Sequence, residues 1–163
     1  MVLAYQTTRL SVVDVFYDTA PSDFLVRITA LLTPNVVENL PPYFDKVNTI
    51  EKAQDWYQKM VSESRLFAVK QADTKTIIGF VFVYNEPDKG AHIGYLLGEL
   101  YWNKGYATEL LQGLIKFAIE SREWTTLIAG VDKHNTASSK LLLKLGFIEQ
   151  EDNGNVRIFH KNL

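Results

Sequence analysis

The sequence predicts one mixed α/β domain over residues 1–163, because strand-like and helix-like hydrophobic patterns follow one another along the chain. Three runs rich in β-branched and aromatic residues lie between Leu66 and Leu97. From Ala107 to Ala118 the apolar residues instead follow the i, i+3, i+4, i+7 spacing of an amphipathic helix. A hydrophobic content of 47% is enough for a core, and no repeat or linker divides the sequence.

The first 63 residues predict one strand followed by an interrupted helical region. Leu10–Val15 has the composition of a strand, and Ser22–Glu63 reads as helix with breaks. Pro34 suits the first turn of a helix, whereas Pro41-Pro42 interrupts the pattern. Thr49 is a candidate helix N-cap.

The middle of the chain predicts three consecutive strands. They are expected at Leu66–Val69, Ile77–Val83 and Ala91–Leu97. Ala72–Lys75 is expected to form the hairpin turn between the first two of these strands.

The last third predicts a strand, a helix and a hairpin. Leu127–Val131 is short and apolar, and Thr136–Leu145 is helical and followed by Gly146. Glycine suits the left-handed position just beyond a helix end. Asp152–Asn155 is a strong hairpin-turn sequence between two strand-like runs.

Composition excludes several classes of function. The 17 basic and 19 acidic residues are dispersed, so no nucleic-acid partner is expected. The absence of cysteine excludes disulfides, thiolate metal sites and a cysteine nucleophile. Residues 1–9 lack the features of a signal peptide, and the longest uncharged apolar run, Ile77–Tyr84, is too short to span a bilayer. We therefore expect a soluble, cytoplasmic protein.

The strongest functional pattern is a turn that opens the predicted long helix. Gly105 lies two residues before Ala107, and Lys104 and Thr108 flank them. The first amides of a helix lack internal acceptors and attract anions, and small residues let a phosphate approach them. The turn is neither a P-loop nor a dinucleotide fingerprint, and a glycine turn that simply starts a helix has the same sequence.

A second pattern opens the next helix, about 30 residues later. Asn135-Thr136-Ala137-Ser138 begins it and Leu145-Gly146-Phe147 ends it. A capping asparagine at the start of an ordinary core helix would have the same sequence.

The two patterns together resemble the GNAT acetyltransferase superfamily, and within it the Rim-type ribosomal-protein N-acetyltransferases. In that branch the turn commonly reads Trp-Gly-Lys-Gly-Tyr-Ala-Thr-Glu, and Trp102–Glu109 reads Trp-Asn-Lys-Gly-Tyr-Ala-Thr-Glu. The Asn-x-x-Ser helix start is matched by Asn135 and Ser138, and the Leu-Gly-Phe ending by Leu145–Phe147. Thr8-Arg9-Leu10 is similar to the branch's opening strand motif.

The resemblance implies a largely antiparallel, mixed sheet of six to seven strands, splayed at an acetyl-CoA site and flanked by helices. Asn103 replaces the first glycine of the turn but still supplies an amide and tolerates left-handed dihedrals. No metal is expected, because no metal-binding motif occurs. The residues implied to hold acetyl-CoA are Tyr95, Leu96, Leu97, Trp102, Asn103, Lys104, Gly105, Tyr106, Ala107, Thr108, Asn135, Ala137 and Ser138.

Four residues are candidates for catalysis. Ser138, from the matched motif, is the candidate for orienting or protonating the leaving sulfur, and Asn135 accompanies it. His92 and Glu86, on and before the third of the middle strands, are candidate bases. Each also has an ordinary structural interpretation, as a helix-start residue or a strand residue. The resemblance to the Rim-type branch also implies a longer final segment with a carboxylate as candidate base, and the short final hairpin has no identifiable counterpart of it.

The sequence leaves the acceptor open. The leading hypothesis is an N-acetyltransferase that transfers acetyl directly to a primary amine, such as a protein or peptide N-terminal α-amine. With neither cysteine nor a serine elbow, a covalent acetyl-enzyme lacks an obvious carrier. The alternatives are an enzyme for a small amine, such as a polyamine, an amino acid derivative or an aminoglycoside, and a non-catalytic acyl-CoA-binding module. We expect a monomer or homodimer without a membrane partner.

Overall fold

The fold is described from a computed structural model, for residues 1–16 and 18–163. Eight strands within these residues form one sheet, in the order β1-β2-β3-β4-β5-β6-β8-β7. The strands are β1 (Val2–Gln6), β2 (Leu10–Val15), β3 (Arg65–Gln71), β4 (Ile77–Asn85), β5 (Gly90–Leu97), β6 (Thr126–Asp132), β7 (Ile148–Asp152) and β8 (Val156–Asn162).

Five α-helices in the described residues connect the strands. They are α1 (Ser22–Leu31), α2 (Pro34–Val37), α3 (Ile50–Glu63), α4 (Tyr106–Ser121) and α5 (Thr136–Lys144), with short 3-10 turns at Pro42–Phe44, Pro87–Lys89 and Glu99–Tyr101. None of the helices found in the described part of the chain has the length and apolarity that crossing a membrane requires.

The predicted helix boundaries are confirmed by their local geometry. Thr49 caps α3 by accepting a hydrogen bond from the Lys52 amide at 3.2 Å, and Pro34 is the first residue of α2. Gly146 has a φ of 85°, the left-handed conformation expected after α5.

The sheet contains one strand beyond the six to seven that the sequence predicts. This strand, β1, lies at the edge of the sheet and pairs with β2. Val2 and Leu3 are more than half exposed, so β1 lacks the alternation of buried and exposed residues that identifies a strand in a sequence.

Two apolar cores lie on opposite faces of the sheet, as β5 illustrates. Ala91, Ile93 and Leu97 pack in the core that contains α4, whereas Leu96 packs with Phe80 in the core that contains α1 and α3. The side chains of a strand alternate between faces, so both faces of β5 are covered over most of its length.

The sheet is antiparallel except where β5 and β6 meet. These two strands are parallel and pair through Gly90–His92 and Thr126–Ile128. By contrast, β4 pairs with β5 over Gly79–Asn85, and β6 pairs with β8 along its full length. The sheet therefore consists of two well-paired halves that separate beyond His92, as the predicted splayed sheet requires.

A partly buried carboxylate joins the β1–β2 turn to the start of α4. Glu109 accepts hydrogen bonds from the Thr7 hydroxyl at 2.6 Å and from the Arg9 amide at 2.7 Å, and it forms an ion pair with the Arg9 guanidinium at 2.6 Å. That guanidinium also donates to the Lys104 carbonyl at 2.9 Å and lies 4.2 Å from the centre of the Tyr106 ring. Residues 7–9 thus fix the turn that precedes α4.

The ionised form of Glu109 should stabilise the fold. Burial raises the pKa of Glu109, but the hydrogen bonds from Thr7 and Arg9 outweigh burial and the net pKa is lowered. The stabilisation is present above the pKa of the unfolded chain and is lost as pH falls through the folded-state pKa. We expect Glu109→Gln to lower the free energy of unfolding at pH 7 by about 1–3 kcal/mol.

Urea unfolding of both proteins between pH 3 and pH 7 measures this difference, which should shrink towards the acid end. Glu120→Gln is the matched control, since Glu120 lies on the same helix in an exposed pair with Lys116 at 3.8 Å. Equal stabilities of the two variants at pH 7 would contradict the role of Glu109.

Candidate active site

A cleft of about 550 Å³ occupies the space where β5 and β6 part. It is lined by the end of β5, the start of α4 and the start of α5, and the segment from Asn35 to Leu40 closes one side. The end of β5, the start of α4 and the start of α5 therefore meet around one space, although Tyr95 and Ser138 are 43 positions apart in the chain.

The exposed edge of β5 supplies backbone donors and acceptors. The pairs Ile78–Gly98 and Glu86–Gly90 are hydrogen-bonded, each at 2.8 Å, so every second residue between them bonds towards β4. By this alternation Leu96 bonds towards β4, whereas Tyr95 and Leu97 direct their amides and carbonyls into the cleft. The indole nitrogen of Trp102 already donates to the Leu97 carbonyl, at 2.8 Å.

The start of α4 has the geometry of an anion site. Gly105 is the N-cap residue with a φ of 80°, and no side chain caps the helix. The first amide that bonds within the helix is that of Glu109, to the Gly105 carbonyl at 3.1 Å. The amides of Tyr106, Ala107 and Thr108 therefore have no helical acceptor, and these residues line the cleft.

The residues flanking Gly105 differ in position. Asn103 has a φ of 56° and lines the cleft, so it adopts the left-handed conformation that its sequence allows. Lys104 instead donates from its ammonium group to the Leu100 carbonyl at 2.8 Å and lies outside the cleft lining.

A hydroxyl pair bridges the two sides of the cleft. The Ser138 and Tyr95 hydroxyl oxygens are 2.9 Å apart. The Ser138 amide donates to the Asn135 side chain at 3.2 Å, so Asn135 caps α5 while the Ser138 hydroxyl remains directed at Tyr95. Burial raises the pKa of Tyr95, which keeps the phenol protonated, and the hydrogen bond with Ser138 acts in the opposite direction. Ala137 also lines this end of the cleft.

A second groove, of about 420 Å³, adjoins the cleft through Asn39, Leu40 and Tyr95. It contains the two candidate bases: His92 Nε2 lies 3.4 Å from Glu86 Oε1, and both side chains are about two-fifths exposed. These two candidates therefore form a pair. They line this second groove, and Ser138 lines the cleft.

Sequence reasoning missed three parts of the site. The Tyr95 side chain was overlooked, although the alternation along β5 places it on the same face as Ile93 and Leu97. The segment from Asn35 to Leu40 comes from α2 and the following loop, and the aromatic wall of the second groove comes from the 3-10 turn at Pro42–Phe44 and from β4. No local pattern links these residues to Gly105, which lies more than 20 positions after all of them and more than 60 after the Asn35–Leu40 segment.

No group of three or more His, Cys, Asp and Glu side chains that could hold a metal ion occurs in residues 1–16 and 18–163. The metal independence of the protein remains a prediction.

Comparison with known proteins identifies the family of this chain. The sequence profile of the acetyltransferase (GNAT) domain family matches residues 20–148. The chain is 32% identical over 117 residues to the uncharacterised N-acetyltransferase p20 of Bacillus licheniformis, a match that covers 67% of this chain and 63% of that relative. The matched part thus spans less than two thirds of the relative's length.

Two solved structures share the fold over nearly the whole chain. The ribosomal L7/L12 α-N-protein acetyltransferase RimL, in complex with coenzyme A, is 17% identical, with a TM-score of 0.78 and 96% of each chain covered. The spermidine N-acetyltransferase of Vibrio cholerae, in complex with CoA and spermine, is 18% identical, with a TM-score of 0.76 and 96% of each chain covered. One neighbour therefore acts on a protein and the other on a polyamine.

Proposed function

Since the chain belongs to the GNAT acetyltransferase family, we propose that it is an N-acetyltransferase that uses acetyl-CoA and a primary amine. The observation that carries this proposal is the convergence of three features on one cleft. These are the open backbone edge of β5, the free amides at the start of α4 and the Tyr95–Ser138 hydroxyl pair.

The residues present fit acetyl-CoA. The amides of Tyr106, Ala107 and Thr108 suit a pyrophosphate, since a helix start favours negative charge. The backbone groups of Tyr95 and Leu97 suit the amide groups of an extended pantetheine arm, which would lie along β5 like an additional strand. When bound, the co-substrate supplies an acetyl group activated as a thioester.

Tyr95 and Ser138 are suited to protonating the leaving sulfur. The phenol stays protonated in its buried position, and its hydroxyl shares a hydrogen bond with Ser138. The Ser138 hydroxyl can therefore pass its proton to the thiolate while it takes one from Tyr95, and the phenol is reprotonated from water in the open cleft. The open amides of β5 are placed to stabilise negative charge that develops on the carbonyl oxygen.

His92 and Glu86 are suited to the amine. An alkylammonium has a pKa near 10, so its proton must leave before the nitrogen can attack. His92 is the proposed proton acceptor and Glu86, at 3.4 Å, orients it and attracts the ammonium. Both substrates bind together in this scheme, and acetyl transfer is direct.

The acceptor that we propose is the N-terminal α-amine of a peptide or protein. A polyamine needs several carboxylates, because each buried ammonium must be paired. Within the described residues, Glu38 is the one acidic side chain of the helical region that lines the cleft. Asp23, Asp45, Glu51, Asp55 and Glu63 are exposed and lie outside both grooves. The polyamine alternative is supported by the similar fold of the spermidine N-acetyltransferase of Vibrio cholerae.

Gly105→Val should weaken acetyl-CoA binding at least about tenfold, because its Cβ would lie 3.3 Å from Nη2 of Arg9, the side chain that holds the turn before the α4 amides. Isothermal titration calorimetry without added metal measures the affinity. Gly154→Val is the matched control, since Gly154 has a similar φ of 82° and its Cβ would meet nothing within 4 Å. An unchanged affinity in folded Gly105→Val would refute the assignment of the turn.

Ser138→Ala and Tyr95→Phe should each lower kcat by about 10²-fold and change the Kd of acetyl-CoA little, because the hydroxyls act on the leaving group. Steady-state kinetics with calorimetry separates the two effects. Ser139→Ala is the matched control, because the neighbouring Ser139 hydroxyl is buried and has no hydrogen-bond partner among the described residues. A weaker affinity for acetyl-CoA with an unchanged kcat would contradict the catalytic role and indicate that Ser138 only stabilises the start of α5.

Peptides with alanine or serine at the N-terminus should be acetylated with a higher kcat/KM than spermidine at equal acetyl-CoA. The reason is the small number of carboxylates along the two grooves. Thiol release, measured with a chromogenic disulfide, reports turnover of every acceptor. Efficient turnover of spermidine with none of any peptide would establish the polyamine alternative.

A further inference from the structure

The second groove has an open floor at Gly94. A Cβ built on Gly94 would lie 3.4 Å from Cδ2 of Phe82, the one atom within 4 Å of it. The space above β5 at this point is therefore open and extends to the Phe82 ring. A side chain larger than hydrogen at position 94 would fit the strand but fill part of the groove.

The walls of the groove are mainly aromatic. Phe44 and Phe82 pack edge to face, with ring centroids 5.4 Å apart, and the Tyr43 ring packs against Phe44 in a tilted arrangement at 4.8 Å. Leu40 and Tyr84 complete this lining. Burying an apolar group against this surface is favourable because water is excluded. Burying an unpaired charged group there is unfavourable.

The charges around the groove suit one ammonium and no second cation. Of the residues described along the groove, Glu86 is the one carboxylate, and it lies beside His92. At the outer rim, the Lys59 ammonium lies 4.8 Å from the centre of the Tyr43 ring and pairs with Glu63 at 2.7 Å. Lys59 therefore already occupies the face of the Tyr43 ring, where the cationic side chain of an acceptor would otherwise bind.

The groove is open at both ends. Tyr95, Asn39 and Leu40 also line the cleft, so an amine in the groove reaches the end of the cleft where Ser138 lies. Tyr43 is 39% exposed and the Glu86 side chain is 43% exposed, so the rest of a chain can leave towards solvent.

We propose that this groove binds the first side chain of the peptide acceptor and selects a large uncharged apolar residue, such as leucine, methionine or phenylalanine. The α-amine lies towards His92 and Glu86, and the side chain lies over Gly94 against Phe82 and Phe44. This selection rests on the proposed function, and it specifies which first residue of the peptide the enzyme prefers.

The test uses peptides of one sequence that differ in the first residue, with glycine, alanine, leucine, phenylalanine, glutamate or lysine. The kcat/KM for leucine and phenylalanine should exceed that for glycine and lysine by at least about tenfold, as expected for several buried methylene groups. Calorimetry of the same peptides with the CoA-loaded protein should give the same order, and this readout is independent of turnover.

Gly94→Val should remove the preference by filling the groove, with Gly94→Ala intermediate and the Kd of acetyl-CoA within about twofold of the original. Thermal unfolding checks that the variants fold. Tyr43→Ala, with Tyr43→Phe as its control, tests the same wall from an exposed position and should lower the preference by about threefold or more.

The outcomes separate the two proposals. Acetylation of all six peptides at similar rates, or best turnover of the glycine or lysine peptide, would overturn the selection while the N-acetyltransferase function stands. If both Gly94→Val and Tyr43→Ala left the preference for leucine and phenylalanine unchanged, the groove would not be the site of selection, and the proposal would be overturned. Turnover of spermidine or 2-phenylethylamine with none of any peptide would overturn the peptide acceptor itself.

Discussion

The separation of β5 from β6 after three residue pairs is the constraint on which the candidate site depends. Each strand is firmly paired on its other side, β5 with β4 and β6 with β8, so the divergence costs few hydrogen bonds. It leaves backbone groups of Tyr95 and Leu97 without a neighbouring strand, except where Trp102 bonds the Leu97 carbonyl. Exposed polar backbone of this kind needs water or a ligand, and an extended chain of amides satisfies it in the way that a strand would.

The start of α4, which we propose as the pyrophosphate site, is held by contacts from residues about 100 positions earlier in the chain. Glu109 is held by Thr7 and Arg9, and Arg9 also bonds the Lys104 carbonyl and covers the Tyr106 ring. These contacts keep the left-handed residues Asn103 and Gly105 in place before any phosphate arrives. Preorganisation of this kind lowers the entropy that binding must overcome.

The second groove, which we propose for the acceptor, is built differently, from the segment after α2, from β4 and from the opposite face of β5. Its aromatic walls come from Phe44 and Phe82, which also belong to the core beneath α1 and α3. These two walls are therefore buried, whereas the rim at Tyr43 is exposed. Tyr43 and Gly94 line the groove and not the cleft, so under our proposal changes at these two positions alter acceptor choice and leave the cleft intact.

Sequence alone determined the local features of this protein. Strand and helix periodicity placed β2 to β8 and the main helices, and the residue types at Thr49, Asn135, Gly105 and Gly146 specified their caps and turns, because these effects act within a few residues. The edge strand β1, the Tyr95–Ser138 pair and the aromatic groove were decided by the tertiary structure. Their partners lie far apart in the chain, and pairing, face and packing are fixed only when the sheet assembles.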